Sequence, residues 1–437
     1  MFKTIFSIII LFFYSGCFFN NGSKSIGNVA APENCTLLNQ NKYIYDVMHD
    51  SYLWYDQVPE LDYTRNKYSS PALLLEDLKY KKYDKWSFVT TVAYYNQYFE
   101  EGTYIGYGLS YSLADENRSA VINYVYKDSP AYLGGIRRGY KIVAVNDVNI
   151  SALISLEVFD YAFGASERDV TRKFKLQRYD GSYFDVNISK TLVTMNTVLH
   201  KSIITQDQKK IGYLVFNSFI QPALDELNSA FSYFKENNVT DMILDLRYNS
   251  GGRVNIANEL ATLIGGEHVY GKEMQRFIHN DKYSSSDSSE KYGSFKENAL
   301  NIAKLYVITT SDTCSASELV INALRASNTG IEVITIGDKT CGKPVGMYGH
   351  DFCDKHIAPI EFAIQNSDGY GAYFDGIKTE CRVSDDVSRD FGDTNESMLK
   401  EALNFIKTGS CRESRSINDQ KRYINPLRGF EREVGAI

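Results

Sequence analysis

The sequence predicts a multi-domain α/β protein. It is expected to have a helical N-terminal module, a small β-rich domain, and an α/β core with a mixed sheet flanked by helices. Apolar residues recur at helical spacing in residues 38–100, whereas residues 101–196 contain short alternating strands with glycine turns. Residues 197–410 alternate strands with helices, which predicts a partly parallel sheet with functional residues at its strand ends.

The composition is that of an ordinary globular protein, with 43% hydrophobic and 23% charged residues. A length of 437 residues is enough for two or three domains. The net charge of −7 argues against nucleic acid as a partner.

Residues 1–17 have the features of a secretory signal. Lys3 supplies a positive charge, Ile5–Tyr14 form an apolar stretch of ten residues, and small residues precede Cys17. Ten apolar residues are too few to cross a bilayer. Export by a signal peptide is therefore predicted.

Cys17 follows Ser-Gly as the lipidated cysteine of a bacterial lipobox does, although Tyr14 stands where an aliphatic residue is usual. Lipidation of Cys17 is predicted, with plain cleavage as the alternative. Residues 18–37 would then be a tether, and only the lipid anchor would contact the membrane. The expected location is the cell envelope, periplasmic or anchored at the outer membrane.

The N-terminal module is predicted from three apolar helical patterns that carry no catalytic constellation. A packing role is the simplest interpretation. The patterns are Tyr45 to Trp54, Ala72 to Leu78 and Phe88 to Phe99.

The β-rich segment, residues 101–196, begins with a glycine-bearing loop, Tyr104 to Leu109, and continues through Gly134 to Asn146. It resembles a PDZ domain of the bacterial protease type, in which such a loop binds a peptide's terminal carboxylate and the peptide adds as a strand. By this match Gly106, Gly108 and Leu109 are the peptide-binding positions. Tyr140 departs from the family, where Asp is usual. A small β-domain without a ligand is the alternative.

Two other segments are less informative. The polar run from Asn280 to Ser294 is predicted to be a mobile surface loop, with a lid over the site as the alternative. The charged tail, residues 411–437, is expected to be loosely ordered.

Two short segments carry the strongest chemical signal. Ser315 lies between an apolar run and a helix-like stretch, and Lys343 follows another short apolar strand. A serine hydroxyl becomes a good nucleophile when a base takes its proton, and a lysine amine serves as that base when it is buried away from water. The pair predicts a serine–lysine hydrolase whose lysine lies in an apolar pocket.

A third segment, Asp245 to Gly252, follows an apolar strand and ends in a glycine pair. Paired glycines free backbone amides for a ligand. With the amide of Ala316, Gly251 or Gly252 would form an oxyanion hole of two donors. A phosphate loop is the competing interpretation, but the Gly-Lys-Ser/Thr sequence it needs is absent.

Asp-Leu-Arg-x-Asn-x-Gly-Gly, Ser-Ala-Ser-Glu and Thr-x-Gly-Lys, in this order after a PDZ-like segment, resemble the C-terminal processing, or tail-specific, serine peptidases. The resemblance covers residues 100–410. It implies that Ser315 is the nucleophile, Lys343 the general base, and Ala316 with Gly251 or Gly252 the oxyanion donors, with Ser317 and Glu318 structural.

The family resemblance further implies an endopeptidase that cleaves proteins near C-terminal ends captured by the PDZ-like domain. Its partners would be proteins or peptides, with neither a metal nor an organic cofactor. One departure is Met347, where some members place a glutamine that holds the lysine amine. A backbone carbonyl or Tyr348 would then orient the amine. The alternatives are a weakened or inactive peptide-binding scaffold and an enzyme acting on a non-peptide acyl substrate.

The cysteines and histidines leave further alternatives. Six cysteines beyond Cys17 allow 15 disulfide pairings, of which Cys353 with Cys381 is favoured. Cys314 and Cys341 either bridge the two catalytic segments or fill the core. A zinc site at His350, Cys353, His356 and Cys381 and a triad role for His350 are weaker readings.

Overall fold

The structure, a computed structural model, describes residues 26–114 and 118–412. It is a mixed α/β protein with N-terminal helices and several sheets, which confirms the predicted fold class. The predicted signal segment, Cys17 and the tail beyond Arg412 lie outside the described residues. Within these two ranges, no helix combines the length and apolarity that crossing a membrane requires.

The elements fall into three groups along the chain. The first comprises α1 Leu37–Asp50, α2 Pro71–Leu78, β1 Phe88–Thr91 and α3 Val92–Phe99. The second comprises β2 Thr103–Gly106, β3 Leu109–Ala114, β4 Ser119–Val125, α4 Pro130–Leu133, β5 Lys141–Val145, β6 Val148–Asn149, α5 Ile150–Ser155, α6 Phe159–Ala162, β7 Thr171–Gln177, β8 Tyr183–Ser189 and β9 Thr191–Thr194. The third comprises β10 Val198–Gln206, β11 Lys209–Phe216, α7 Ala223–Glu236, β12 Asp241–Asp245, α8 Val254–Gly265, β13 Glu273–Ile278, β14 Ser288–Lys291, β15 Lys304–Thr309, α9 Ala316–Leu324, β16 Glu332–Gly337, β17 Val345–Met347, β18 His350–Phe352, β19 Lys355–Ala358, β20 Ile360–Asn366, β21 Cys381–Arg382 and α10 Ser397–Thr408.

The first group contains one element that the sequence did not predict. The helix expected over Phe88 to Phe99 is wrong for its first four residues, which form β1. This strand pairs antiparallel with β19, Phe88 opposite Ala358. Tertiary pairing and the β-branched residues after Phe88 outweigh the helical spacing of the apolar residues. Thr91 then caps α3 by accepting from the amide of Tyr94.

The N-terminal helices share one hydrophobic cluster with the strands that follow Lys343. Val47 and Leu74 are buried in the same cluster as Val345 and Ile360. Full burial of each such side chain contributes about 1.5–3 kcal/mol. The N-terminal region is therefore packed directly behind one part of the α/β core.

The second group forms an antiparallel sheet with the strand order β3-β4-β5-β7-β8, in which β6 also pairs with β5. Its core includes Tyr107, Phe163 and Phe174. Tyr140 packs against the rings of Tyr179 and Phe184, so its apolar body has a structural use. Strand β3 lies at one edge of this sheet.

A buried charge network joins this β-rich sheet to the core. Arg138 donates to the Tyr248 hydroxyl at 2.6 Å and pairs with Asp385 at 2.8 Å. Asp385 also pairs with Arg247 at 2.7 Å, and Arg247 pairs with Glu396 at 2.9 Å. Burial by itself would raise the pKa of Asp385, but the charges of Arg138 and Arg247 hold it at about 2.

The central sheet has the strand order β10-β11-β12-β15-β16-β21. Strand β10 is antiparallel to β11, and the other neighbours are parallel. Met242 and Leu244 face the cluster shared with α7, α8 and α9, whereas Ile243 faces the cluster shared with α10. Because both faces are covered, these strands read as continuous apolar runs in the sequence.

Strands β12, β15 and β16 are parallel neighbours, so their carboxyl ends lie at one edge of the sheet. Each end leads directly into one of the three segments singled out in the sequence. The fold therefore brings those segments together.

The run from Asn280 to Ser294, predicted to be a mobile loop, contains strand β14, which pairs with β13. It is also fixed to α1, because the Tyr283 hydroxyl donates to Asp50 at 2.6 Å. The prediction of a mobile loop is therefore wrong for β14 and for the segment around Tyr283.

Three disulfides are present in the described residues: Cys35–Cys353, Cys314–Cys341 and Cys381–Cys411. The favoured pairing of Cys353 with Cys381 is wrong. Cys35 precedes α1, 318 residues from its partner, and no local sequence pattern signals a bridge over that separation.

Candidate active site

Three loops meet at the carboxyl edge of the central sheet. The Cys314 amide after β15 donates to the Asn249 carbonyl after β12 at 3.0 Å. The Cys341 amide after β16 donates to the Thr313 carbonyl, also at 3.0 Å. Backbone hydrogen bonds thus hold the loop of Ser315 between the glycine pair and the loop of Lys343.

Ser315 occupies the turn between β15 and α9 with a φ of 53°, which non-glycine residues rarely adopt. Such backbone strain costs about 1–3 kcal/mol and persists where the surroundings over-determine it. The Ser315 amide donates to Glu318 and its carbonyl accepts from Leu319. A strained turn at a helix N-terminus is the arrangement that presents a nucleophilic serine.

The glycine pair approaches this turn closely. Gly251 has a φ of 109°, and a Cβ built on it would lie 2.8 Å from the Ser315 Cβ and 3.0 Å from the Ala316 nitrogen. Any other residue would collide with the turn. The absence of a side chain is therefore a steric requirement here.

The two predicted glycine donors are not equivalent. The Gly251 amide already donates to Asn249 Oδ1 at 2.9 Å, because the buried Asn249 side chain folds back over the loop. Gly252 is therefore the better candidate for the second oxyanion donor. The first candidate, the Ala316 amide, opens α9, where helix geometry provides no internal acceptor.

Lys343 is only 1% exposed and lies just before β17. Its Nζ is 5.7 Å from the ring centroid of Trp86, in the N-terminal region. The apolar surroundings predicted for this lysine thus include a residue distant in sequence.

Glu318 links the two predicted catalytic residues. Its carboxylate, 0% exposed, accepts through Oε2 from the amides of Ser315 at 3.0 Å and Lys343 at 2.8 Å. Through Oε1 it accepts from the Gly342 amide at 2.8 Å and from the Thr340 hydroxyl. Burial raises the pKa of Glu318, and these hydrogen bonds oppose the rise.

This role of Glu318 was missed from the sequence, where it was interpreted only as part of a helix start. A signal was present, since a Ser-x-x-Glu spacing is the capping-box pattern in which the glutamate accepts from the amide of the first residue. The long-range half of the contact, with Lys343, had no such signal.

Tyr348, one of the two groups predicted to orient the lysine amine, contacts His279. The Tyr348 hydroxyl lies 3.2 Å from His279 Nε2, and its ring stacks on His279. Met347 packs against two hydrophobic clusters.

The Cys314–Cys341 disulfide joins the loops of Ser315 and Lys343, with 5.2 Å between the two Cα atoms. Of the two alternatives that the sequence left open, the structure has the bridge. Cys314 directly precedes Ser315, and Cys341 lies two residues before Lys343.

Replacing both Cys314 and Cys341 with serine is expected to lower the free energy of unfolding by about 3 kcal/mol, since the bridge spans 27 residues. Peptidase activity should fall at least tenfold because the strained turn loses a restraint. Denaturant unfolding and kcat/KM measure the two effects.

The control is the double serine variant of Cys381 and Cys411, a bridge of similar span, 30 residues, which joins β21 to the residues after α10 and contains neither loop's cysteine. It should lose similar stability and retain activity. Equal loss of activity in both variants would contradict the role given to the Cys314–Cys341 bridge.

The zinc interpretation is not supported by the geometry, whereas the triad role of His350 stays a prediction. Cys353 and Cys381 are each in a disulfide with another cysteine, so the four-residue zinc set is not assembled. His350 is buried in β18 and its Nε2 lies 3.0 Å from Glu361. His356 pairs instead with Asp351 at 2.6 Å.

The predicted peptide-binding residues lie where β2 ends and β3 begins. Gly106 closes β2, and Leu109 opens the edge strand β3. Gly108, with a φ of 82°, accepts through its carbonyl from the Tyr126 amide at 2.9 Å and the Ser129 hydroxyl at 3.2 Å. A side chain at Gly108 would collide with Ser129.

Comparison with protein families gives two matches. Residues 210–378 match the model of peptidase family S41, and residues 39–88 match the model of the peptidase S41 N-terminal domain. The first range contains all three loops of the site, and the second contains Trp86.

Curated relatives include the chloroplastic carboxyl-terminal-processing peptidase 1 of Arabidopsis thaliana, 26% identical over 49% of this chain and 42% of that protein. A CtpA-like serine protease of Staphylococcus aureus is 24% identical over 64% of this chain and 53% of that protein. The chain thus spans about half the length of these relatives.

Solved structures show the same fold. An S41 protease from Bacteroides fragilis has a TM-score of 0.67 and 24% identity, covering 84% of this chain and 97% of that one. The photosystem II D1 C-terminal processing protease has a TM-score of 0.50 and 17% identity, covering 80% and 94%.

Proposed function

Because the chain belongs to peptidase family S41, we propose that it is a serine endopeptidase with Ser315 as nucleophile and Lys343 as general base. The observation that carries this proposal is the Glu318 carboxylate. One of its oxygens accepts from the backbone amides of both residues. The backbone nitrogens of Ser315 and Lys343 therefore lie no further apart than the sum of these two hydrogen-bond lengths.

The proposed reaction begins as Ser315 Oγ attacks the peptide carbonyl and its proton passes to Lys343 Nζ. The amides of Ala316 and Gly252 stabilise the oxyanion, and each such donor typically lowers the barrier by about 2.7–4 kcal/mol. Collapse expels the amine, which takes the proton from the lysine. Lys343 then removes a proton from the water that attacks the acyl-enzyme and returns it to Ser315 Oγ, as the ester bond breaks and the carboxylic acid leaves.

The substrates we propose are proteins and peptides captured by their C-terminal ends. The β-rich sheet would act as a PDZ domain, with the peptide adding along β3 and its carboxylate at the loop of Gly106, Gly108 and Leu109. The position of β3 at a sheet edge supports this. Export by the signal segment and lipidation at Cys17 would place the enzyme in the cell envelope.

Peptides of one sequence with a free and an amidated C-terminus test this substrate class. The amidated peptide should be cleaved with a kcat/KM at least tenfold lower, since a charge-assisted hydrogen bond contributes about 1.5–3 kcal/mol. Binding of both peptides to Ser315→Ala, followed by fluorescence anisotropy, separates capture from cleavage. Equal cleavage of the two peptides would contradict capture through the carboxylate.

A peptide-binding scaffold is the second candidate, and Met347 favours it because a thioether partly buried against apolar side chains is a poor partner for an amine. A scaffold would bind the free-acid peptide and release it intact. Turnover of the peptide by the wild-type protein excludes this candidate.

A further inference from the structure

The N-terminal region supplies an aromatic side chain to the predicted base. The Nζ of Lys343 lies over the ring of Trp86 at 5.7 Å from the centroid. Lys343 is almost fully buried, and Trp86 is partly buried in the hydrophobic cluster that includes Val345. Trp86 therefore covers one side of the amine.

Trp86 is held in place on both sides. The buried Asp84 accepts from the amides of Trp86 at 3.0 Å and Ser87 at 2.9 Å, and from the Tyr52 hydroxyl at 2.8 Å. The Ser87 hydroxyl accepts from the Ile360 amide at 3.0 Å. Strand β1, which begins two residues after Trp86, is paired to β19. The backbone that carries Trp86 is therefore fixed relative to the strands that follow Lys343.

This placement matters because of the charge that the reaction creates. When the Ser315 proton reaches Lys343 Nζ, a positive charge forms in a site that water does not enter freely. The face of an aromatic ring attracts a cation within about 6 Å, and indole does so best. An interaction that strengthens as the charge develops favours the transition state over the ground state.

We propose that Trp86 is a positioning residue for Lys343, which holds the amine and stabilises the ammonium formed when Ser315 is deprotonated. This inference rests on the proposed function. It gives the N-terminal region, for which the sequence predicted only packing, a part in the chemistry.

The test compares Trp86→Leu with Trp86→Phe, both apolar, of which only phenylalanine keeps a π face. Trp86→Leu should lower kcat by about 2- to 30-fold with KM unchanged, which corresponds to a cation–π contribution of about 0.5–2 kcal/mol. Trp86→Phe should restore most of the loss. Trp54→Leu is the matched control, since Trp54 packs against Tyr80, Tyr83 and Phe374.

A second measurement is independent of turnover. Trp54 and Trp86 are the two tryptophans of the chain, so Trp54→Phe leaves Trp86 as its single indole fluorophore. In that background Lys343→Met should change the emission of Trp86. Unchanged emission would show that the contact does not exist and would overturn the inference.

The outcomes separate the two proposals. A wild-type protein without turnover contradicts the proposed function. An active wild-type protein with unaltered kcat in Trp86→Leu overturns the role of Trp86 alone. The same holds if the leucine and phenylalanine variants are equally impaired, because loss of packing would then explain both.

Discussion

Ser315→Ala is expected to abolish cleavage of an unstructured peptide, and Lys343→Ala should lower kcat/KM by about 10²–10⁴-fold, the usual contribution of a general base. Because nucleophile and base act as one unit, the double variant should be no worse than Ser315→Ala alone. Initial rates with a fluorogenic peptide measure all three.

Controls for this prediction come from the same loops. Ser311→Ala and Lys339→Ala alter exposed residues four positions before the nucleophile and the base, and should leave kcat/KM within about twofold. Lys343→Met keeps the volume of the buried side chain, so a folded but inactive Lys343→Met protein assigns the loss to the amine. Undiminished turnover in Ser315→Ala would contradict the assignment of the nucleophile.

Glu318→Gln should produce the second largest effect, on both stability and activity. An amide NH₂ would replace an oxygen that now accepts from backbone amides, so donor would face donor. Since hydrogen bonds to a charged group contribute about 1.5–3 kcal/mol each, we expect the free energy of unfolding to fall by about 2–4 kcal/mol. Activity should fall at least tenfold, because the two catalytic loops lose their common anchor.

Glu226→Gln is the matched control for Glu318→Gln. The Glu226 carboxylate also accepts from two backbone amides, those of Thr197 at 3.1 Å and Val198 at 2.8 Å, but it lies on α7. This variant should lose stability and keep its kcat. If Glu318→Gln retained the wild-type kcat, the carboxylate would not be what aligns the two loops.

The sequence was informative where local pattern and fold agree. The strands that end at Asp245, Thr309 and Gly337 were predicted from apolar runs, which arise because both faces of the sheet are covered. The helical segments between these strands predicted that the strands are parallel neighbours. Convergence of the three following loops is a consequence of that order. Ser315, Lys343 and the glycine pair were therefore recognisable as one candidate site.

Contacts between distant segments were the part that the sequence could not supply. Trp86 reaches Lys343 because β1 pairs with β19, yet β1 itself was predicted as helix. The bridge from Cys35 to Cys353 depends on packing of α1 against the strands after Lys343. The use of the Gly251 amide by Asn249 is a side-chain conformation that no spacing encodes.

Covalent labelling by a serine-directed fluorophosphonate, followed by peptide mass spectrometry, tests the central claim most directly. The wild-type protein should carry the label on Ser315, and Lys343→Met should react at least about 100-fold more slowly, because the base that activates the hydroxyl is missing. A label on another residue, or equal labelling rates in the two proteins, would contradict the Ser315–Lys343 assignment.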